Sequence, residues 1–144
     1  VNRRFPLAGL LRVRAMAEER AAAELAAARR DERAAASRAR STEDRLGESG
    51  TPSLADGRAF QAAVASRMAL ASMLVEHRAH AVAAQDESDR RADVWTDARR
   101  HVRAIERLEE RHEDTVRAED ARAEQLVLDE VAGRRAAGQG RADA

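Results

Sequence analysis

The chain has no cysteine, no lysine and no tyrosine, only two prolines, and 2% aromatic residues among its 144 positions. Without cysteine there is no disulfide and no thiolate metal site, which fits a cytoplasmic protein. Few aromatics and an alanine-heavy apolar fraction exclude a thick globular core, because burying an alanine methyl gains far less than burying Leu or Phe. No apolar run approaches the ~20 residues needed to span a bilayer, and the opening lacks the pattern of a signal peptide. Runs of Val, Ile, Tyr and Phe that would read as strands are missing. The net charge is zero, which argues against a nucleic-acid or acidic-membrane binder. All 26 basic residues are arginine, which reads as a coding bias toward GC-rich codons, although guanidinium forks do pair well with carboxylates.

Alanine, glutamate, arginine and leucine dominate, and 36% of residues are charged. That mixture predicts an all-α chain of long helices. Pro6 suits a first helical turn, since its missing N–H has no partner there. A first helix is expected over about 6–46. Gly47, Ser49, Gly50, Thr51, Pro52 and Ser53 form the densest cluster of breakers, and the only sharp reversal is expected in this loop, about 47–53. Thr51 or Ser53 can cap the next helix, and Ser53 with Asp56 resembles a capping box. The second helix is expected over about 54–137, followed by a frayed tail from 138 to 144. The whole is expected to be one helical-hairpin domain.

Apolar residues recur at alternating steps of three and four. The first row is Leu7, Leu11, Ala21, Leu25, Ala28, Ala35, Ala39 and Leu46, interrupted by Arg14, Glu18 and Glu32. The second is Trp95, Ala98, Val102, Ile105, His112, Val116, Ala123 and Leu126, with Glu109 and Glu119 intruding. Such rows are the seams of a coiled coil, here an antiparallel hairpin whose second helix is longer than the first. Acid-before-base pairs four apart support the surface, namely Asp86–Arg90, Glu87–Arg91, Glu113–Arg117 and Glu130–Arg134, each worth roughly 0.2–0.5 kcal/mol. Residues 1–40 carry ten arginines against five acids, and residues 106–130 carry ten acids against four arginines. An antiparallel arrangement is expected to set the basic stretch beside the acidic one. About 40 helical residues reach ~60 Å and about 80 reach ~120 Å, so the last third of a straight second helix outruns the first.

The opening Phe5-Pro6-Leu7, Leu10-Leu11 and Arg14, followed by Glu18-Glu19, resembles the start of the flagellar FliJ family. The other end is similar too, with Leu108-Glu109-Glu110-Arg111, then Glu124-Gln125-Leu126-Val127-Leu128-Asp129-Glu130, Ala132 and Arg134-Arg135. Trp95 falls at a spacing where relatives can have tryptophan. The chain departs from many relatives in its alanine content, its lack of lysine and tyrosine, and a weaker apolar patch in mid-helix. The resemblance implies a stalk-like activator of the flagellar export ATPase hexamer and an escort for export chaperones, needed for flagellum assembly, motility and chemotaxis. It implies a cytoplasmic location, peripheral to the cell membrane at the flagellar base. By position it assigns ATPase binding to Phe5, Leu7, Leu11, Leu126, Leu128, Asp129 and Glu130. Contact with a membrane export gate falls to Leu70, Met73 and His77.

Plainer readings stand beside these. Leu70, Met73, Leu74 and His77 have helical spacing and fit seam packing as well as a partner patch. His77 and His80 lack the thiolate or second carboxylate that a metal site needs. Trp95 reads as a core anchor, and Asp129-Glu130 with Arg134-Arg135 as a helix-end charge cluster. No nucleophile with its base, glycine-rich phosphate loop or paired carboxylates can be assembled, so neither an enzyme nor a cofactor is expected. The alternatives to the export role are a structural coiled-coil scaffold and the equivalent stalk of a virulence-type secretion system.

Overall fold

Alanine, leucine, arginine and glutamate are the strongest helix formers, and the chain uses them at length. The computed structural model describes residues 3–50 and 56–139. They form two helices, α1 (Ala8–Glu48, 41 residues) and α2 (Gly57–Gln139, 83 residues), with no strand among the described residues. The helices pack antiparallel as a hairpin, and α2 is the longer.

Helix ends differ from the expected bounds for local reasons. Pro6 and Leu7 lie in the turn before α1, where the Ala8 amide donates to the Phe5 carbonyl at 3.3 Å. At the other end α1 passes through Gly47, which weakens a helix by only about 1 kcal/mol and does not stop it. The Ser49 hydroxyl donates to the Leu46 carbonyl at 2.6 Å, and the Ser49 amide to Arg45 at 3.1 Å, serving carbonyls that the helix end leaves open. The candidate caps Thr51 and Ser53 lie outside the described residues. Asp56, expected as the acidic member of a capping box three residues after Ser53, is itself the N-cap, its Oδ1 accepting from the Arg58 amide at 3.0 Å. α2 continues through Gly138 to Gln139, and the rest of the expected tail, 140–144, lies outside the described residues.

The chain divides into two compact units, one spanning Met16–Arg99 and the other formed by the segments before Met16 and after Arg99. In the Met16–Arg99 unit, Ala21, Leu25, Ala28, Ala35, Ala39 and Thr42 are buried on α1, facing a row on α2 whose buried members are Leu74 and Ser88. Leu70, His77, Ala81, Ala84, Arg91 and Trp95 extend that row and are half-buried. The row keeps three-four steps throughout, although Ser88 and Thr42 are polar. Ala35 is only 1% exposed, so the seam at this level is closed by methyl groups, which let two helix backbones approach closely.

Ion pairs cross this seam in the opposite sense to the expected one. Glu18, Glu24 and Glu43 of α1 meet Arg99, Arg91 and Arg78 of α2 at 2.7, 2.6 and 2.6 Å. The register therefore sets α1 beyond Ala15 against residues up to Arg99, upstream of the acidic 106–130 stretch. Exposed pairs are worth at most ~1 kcal/mol each, too little to shift a packed row. In the terminal unit basic does meet acidic as expected, with Arg3 Nη2 to Asp120 Oδ1 at 3.1 Å. Two of the four expected surface pairs form, Glu87–Arg91 and Glu130–Arg134. Arg90 turns instead to Glu87 and Arg117 to Asp114, both three residues away.

Candidate partner-binding end

The terminal unit holds both halves of the expected ATPase-binding set. Val102 and Ile105 are its buried residues, with Leu7, Leu11, His112 and Val116 half-buried on the same rows. Phe5 lies just before α1, its ring 5.8 Å from the His112 imidazole and tilted by 45°. The Leu11 amide donates to the Leu7 carbonyl at 2.9 Å, so Leu7 opens the hydrogen-bonded turn that presents Leu11. Arg3, His112, Glu113, Val116 and Arg117 line a shallow groove of about 310 Å³. Nε2 of His112 is shielded and has no hydrogen-bond partner among the described residues. Phe5, Leu7 and Leu11 are thus half-buried, and Phe5 packs against His112 of α2.

The other half of the set is placed differently. From residue 121 to 134 every residue of α2 is exposed. Leu126 and Leu128 are 70% and 62% exposed, and Val127 and Val131 are exposed as well. Leu126 continues the seam row in sequence, yet nothing covers it. Val131 stands four residues from Val127 and three from Leu128, so the three form an apolar stripe of their own. Gln125 Nε2 donates to Asp129 Oδ1 at 2.8 Å, and Arg134 pairs with Glu130 at 2.6 Å, so both carboxylates have partners on their own helix beside the stripe. Phe5 is level with His112, and Leu126 lies fourteen residues further along α2, about 21 Å. The seven residues therefore form two sets and not one cluster.

The three residues assigned to an export gate lie in the other unit. Leu70 and His77 are half-buried in the seam, and Met73 beside them is exposed. Met73 and His77 line a groove of about 350 Å³ with Ser37, Arg38, Ser41, Thr42 and Arg45. The Thr42 hydroxyl donates to the Arg38 carbonyl at 3.0 Å and lies 2.9 Å from His77 Nδ1. The Thr42 hydroxyl and His77 Nδ1 are thus within hydrogen-bond distance across the hairpin. This bond ties His77 across the seam, and sequence reasoning missed Thr42 because threonine interrupts an alanine row. Trp95 is half-buried in the seam with the Arg99 guanidinium 5.7 Å above its ring, a cation–π contact that also positions Arg99 for Glu18.

These features define the class, an antiparallel coiled-coil hairpin with a thin alanine seam and an exposed apolar helix end, and no described helix is long and apolar enough to cross a membrane. Among protein families, the model described as "Flagellar FliJ protein" matches residues 3–141. The chain belongs to the FliJ family, and is thereby a component of flagellar protein export. No curated protein and no solved structure matches it.

Proposed function

We propose that this chain is a non-enzymatic, stalk-like activator of the flagellar export ATPase and an escort for export chaperones. On this reading it works in the cytoplasm, against the cytoplasmic face of the membrane at the flagellar base, and flagellum assembly and motility depend on it. One observation carries the reading: the α2 end, where Leu126, Leu128 and their valine neighbours are exposed beside carboxylates held by Gln125 and Arg134. An apolar anchor with a charged rim is the anatomy of a docking element. Leu126, Leu128, Asp129 and Glu130 take the contacting role, and Phe5, Leu7 and Leu11 hold the first turn of α1 in place. For the export gate, Met73 offers the exposed side chain, while Leu70 and His77 shape the groove beside it.

Activation here is linkage, since a stalk that binds the assembled ring better than free subunits favours assembly and raises turnover without chemistry of its own. The test combines Leu128→Ala with Asp129→Ala. Helicity and melting stay as in the wild type, and binding to the ATPase ring weakens at least tenfold, about 1.4 kcal/mol. The purified chain alone hydrolyses no ATP. Wild-type affinity in the double variant, or unchanged ring assembly and turnover at saturating wild-type chain, would sink the stalk reading.

A further inference from the structure

α2 carries a second apolar row, separate from the seam and from the docking end. Val64, Met68, Ala71, Val75 and Val82 are all exposed and recur at steps of four, three, four and seven. At 3.6 residues per turn they fall within about 60° of one another and about 120° around the helix from the seam row. Met68 and Val75 are 67% and 69% exposed. A free helix face gains nothing from such spacing, whereas a coiled-coil partner reads it directly.

We propose that this face pairs with the same face of a second copy of the chain, antiparallel, about a two-fold axis level with Met73. The layers that follow are matched from end to end. Ala71 meets Val75 on either side of the axis, Met68 meets the stem of Arg78, and Val64 meets Val82. Gln61 meets Gln85 as a closing amide pair at each end. Arg78 keeps its guanidinium on Glu43 of its own chain at 2.6 Å, so its methylene stem lies free to cover Met68.

Charge selects the direction. Beyond the glutamines lie Arg58 at one end and Asp86 and Asp89 at the other, and none of the three makes a side-chain ion pair among the described residues. Antiparallel pairing brings Arg58 of each copy to Asp86 and Asp89 of the other. Parallel pairing would put arginine on arginine and aspartate on aspartate, which is repulsive. Zero net charge removes the general repulsion that keeps many proteins apart. The hairpin seam faces elsewhere on α2, so α1 does not obstruct the pairing.

Sedimentation equilibrium of the full chain, from micromolar to millimolar concentration, reads the association. A dimer is expected. Val75→Glu places carboxylates in both central layers and raises its Kd at least about tenfold, with circular dichroism of the monomer unchanged. Arg58→Glu weakens the dimer, and adding Asp86→Arg and Asp89→Arg to the same chain restores it. The absence of native cysteine permits a second readout that does not depend on affinity. Val64→Cys chains mixed with Val82→Cys chains form a disulfide between copies, and neither variant does so alone. A chain that stays monomeric at millimolar concentration overturns the proposal, as does a dimer indifferent to Val75→Glu, Val64→Cys cross-linking to itself, or a different helical protein occupying the face.

Discussion

At the scale of single residues, the seam is governed by side chains with little bulk and by charge in few places. Glu87 accepts from Arg91 Nε at 2.7 Å and from Arg90 at 2.9 Å, and Arg91 continues across the hairpin to Glu24 at 2.6 Å. The hydrogen bond from Arg91, then that from Arg90, holds the Glu87 carboxyl below its ordinary value of 4.5. A carboxyl depressed in the folded state contributes stability above the unfolded pKa and loses it as pH falls through the folded one. Wild type should therefore melt above Glu87→Gln at neutral pH, and the two should converge as pH drops below 4.5. A difference that persists in strong acid would mean that Glu87 acts through packing. Ala35 makes the complementary case. At 1% exposure it has no room to grow, so Ala35→Leu should lower stability by ~1–3 kcal/mol in urea titration despite the gain in apolar area.

At the scale of helices, what was legible was whatever the three-four rhythm carries in large side chains. Leu25, Val102 and Ile105 mark the seam by themselves, and all three are buried. Of the upstream half of the α2 row, Leu70, Leu74 and His77 were legible as seam, but Ala81, Ala84 and Ser88 were not read, because they look like surface filler until a partner helix covers them. Thr42 and His77 were missed as a pair for a related reason, since 35 residues separate them and only the register brings them together. The direction of the ion pairs was misread because net charge over long segments says nothing about which residues the register aligns. The end of pairing was equally hidden, for Leu126 keeps the rhythm although nothing covers it. Local chemistry also decided the start of α2, where Asp56 took the role given to Ser53 or Thr51. Asp56→Ala should cost about 1 kcal/mol, and Asp56→Ser, which restores a capping oxygen, should recover most of it. Equal losses for both substitutions in thermal melts would show that the carboxylate contributes by something other than capping.

At the scale of the whole chain, burial is unevenly spread, and the uneven part is where binding is proposed. The buried residues fall between Ala21 and Ile105, while every residue from 121 to 134 is exposed. An isolated helix of that length is marginal in water, because nucleation is costly and tertiary packing supplies most helical stability. Its short-range bonds, Gln125 to Asp129 and Arg134 to Glu130, add only a few tenths of a kcal/mol each, roughly 0.2–0.5. Native-state hydrogen exchange should therefore be graded along α2, with slow amides around Leu74, Val102 and Ile105 and fast ones from 121 onward. Adding the export ATPase should slow exchange in the 121–134 stretch, because docking Leu126 and Leu128 removes the open helix end from solvent and links its folding to binding. The amides near Leu74 should not change, since their protection already reflects the hairpin. If the ATPase instead slows exchange at Phe5, Leu7 and Leu11 while leaving 121–134 fast, the contacting and packing roles assigned to the two sets must be exchanged.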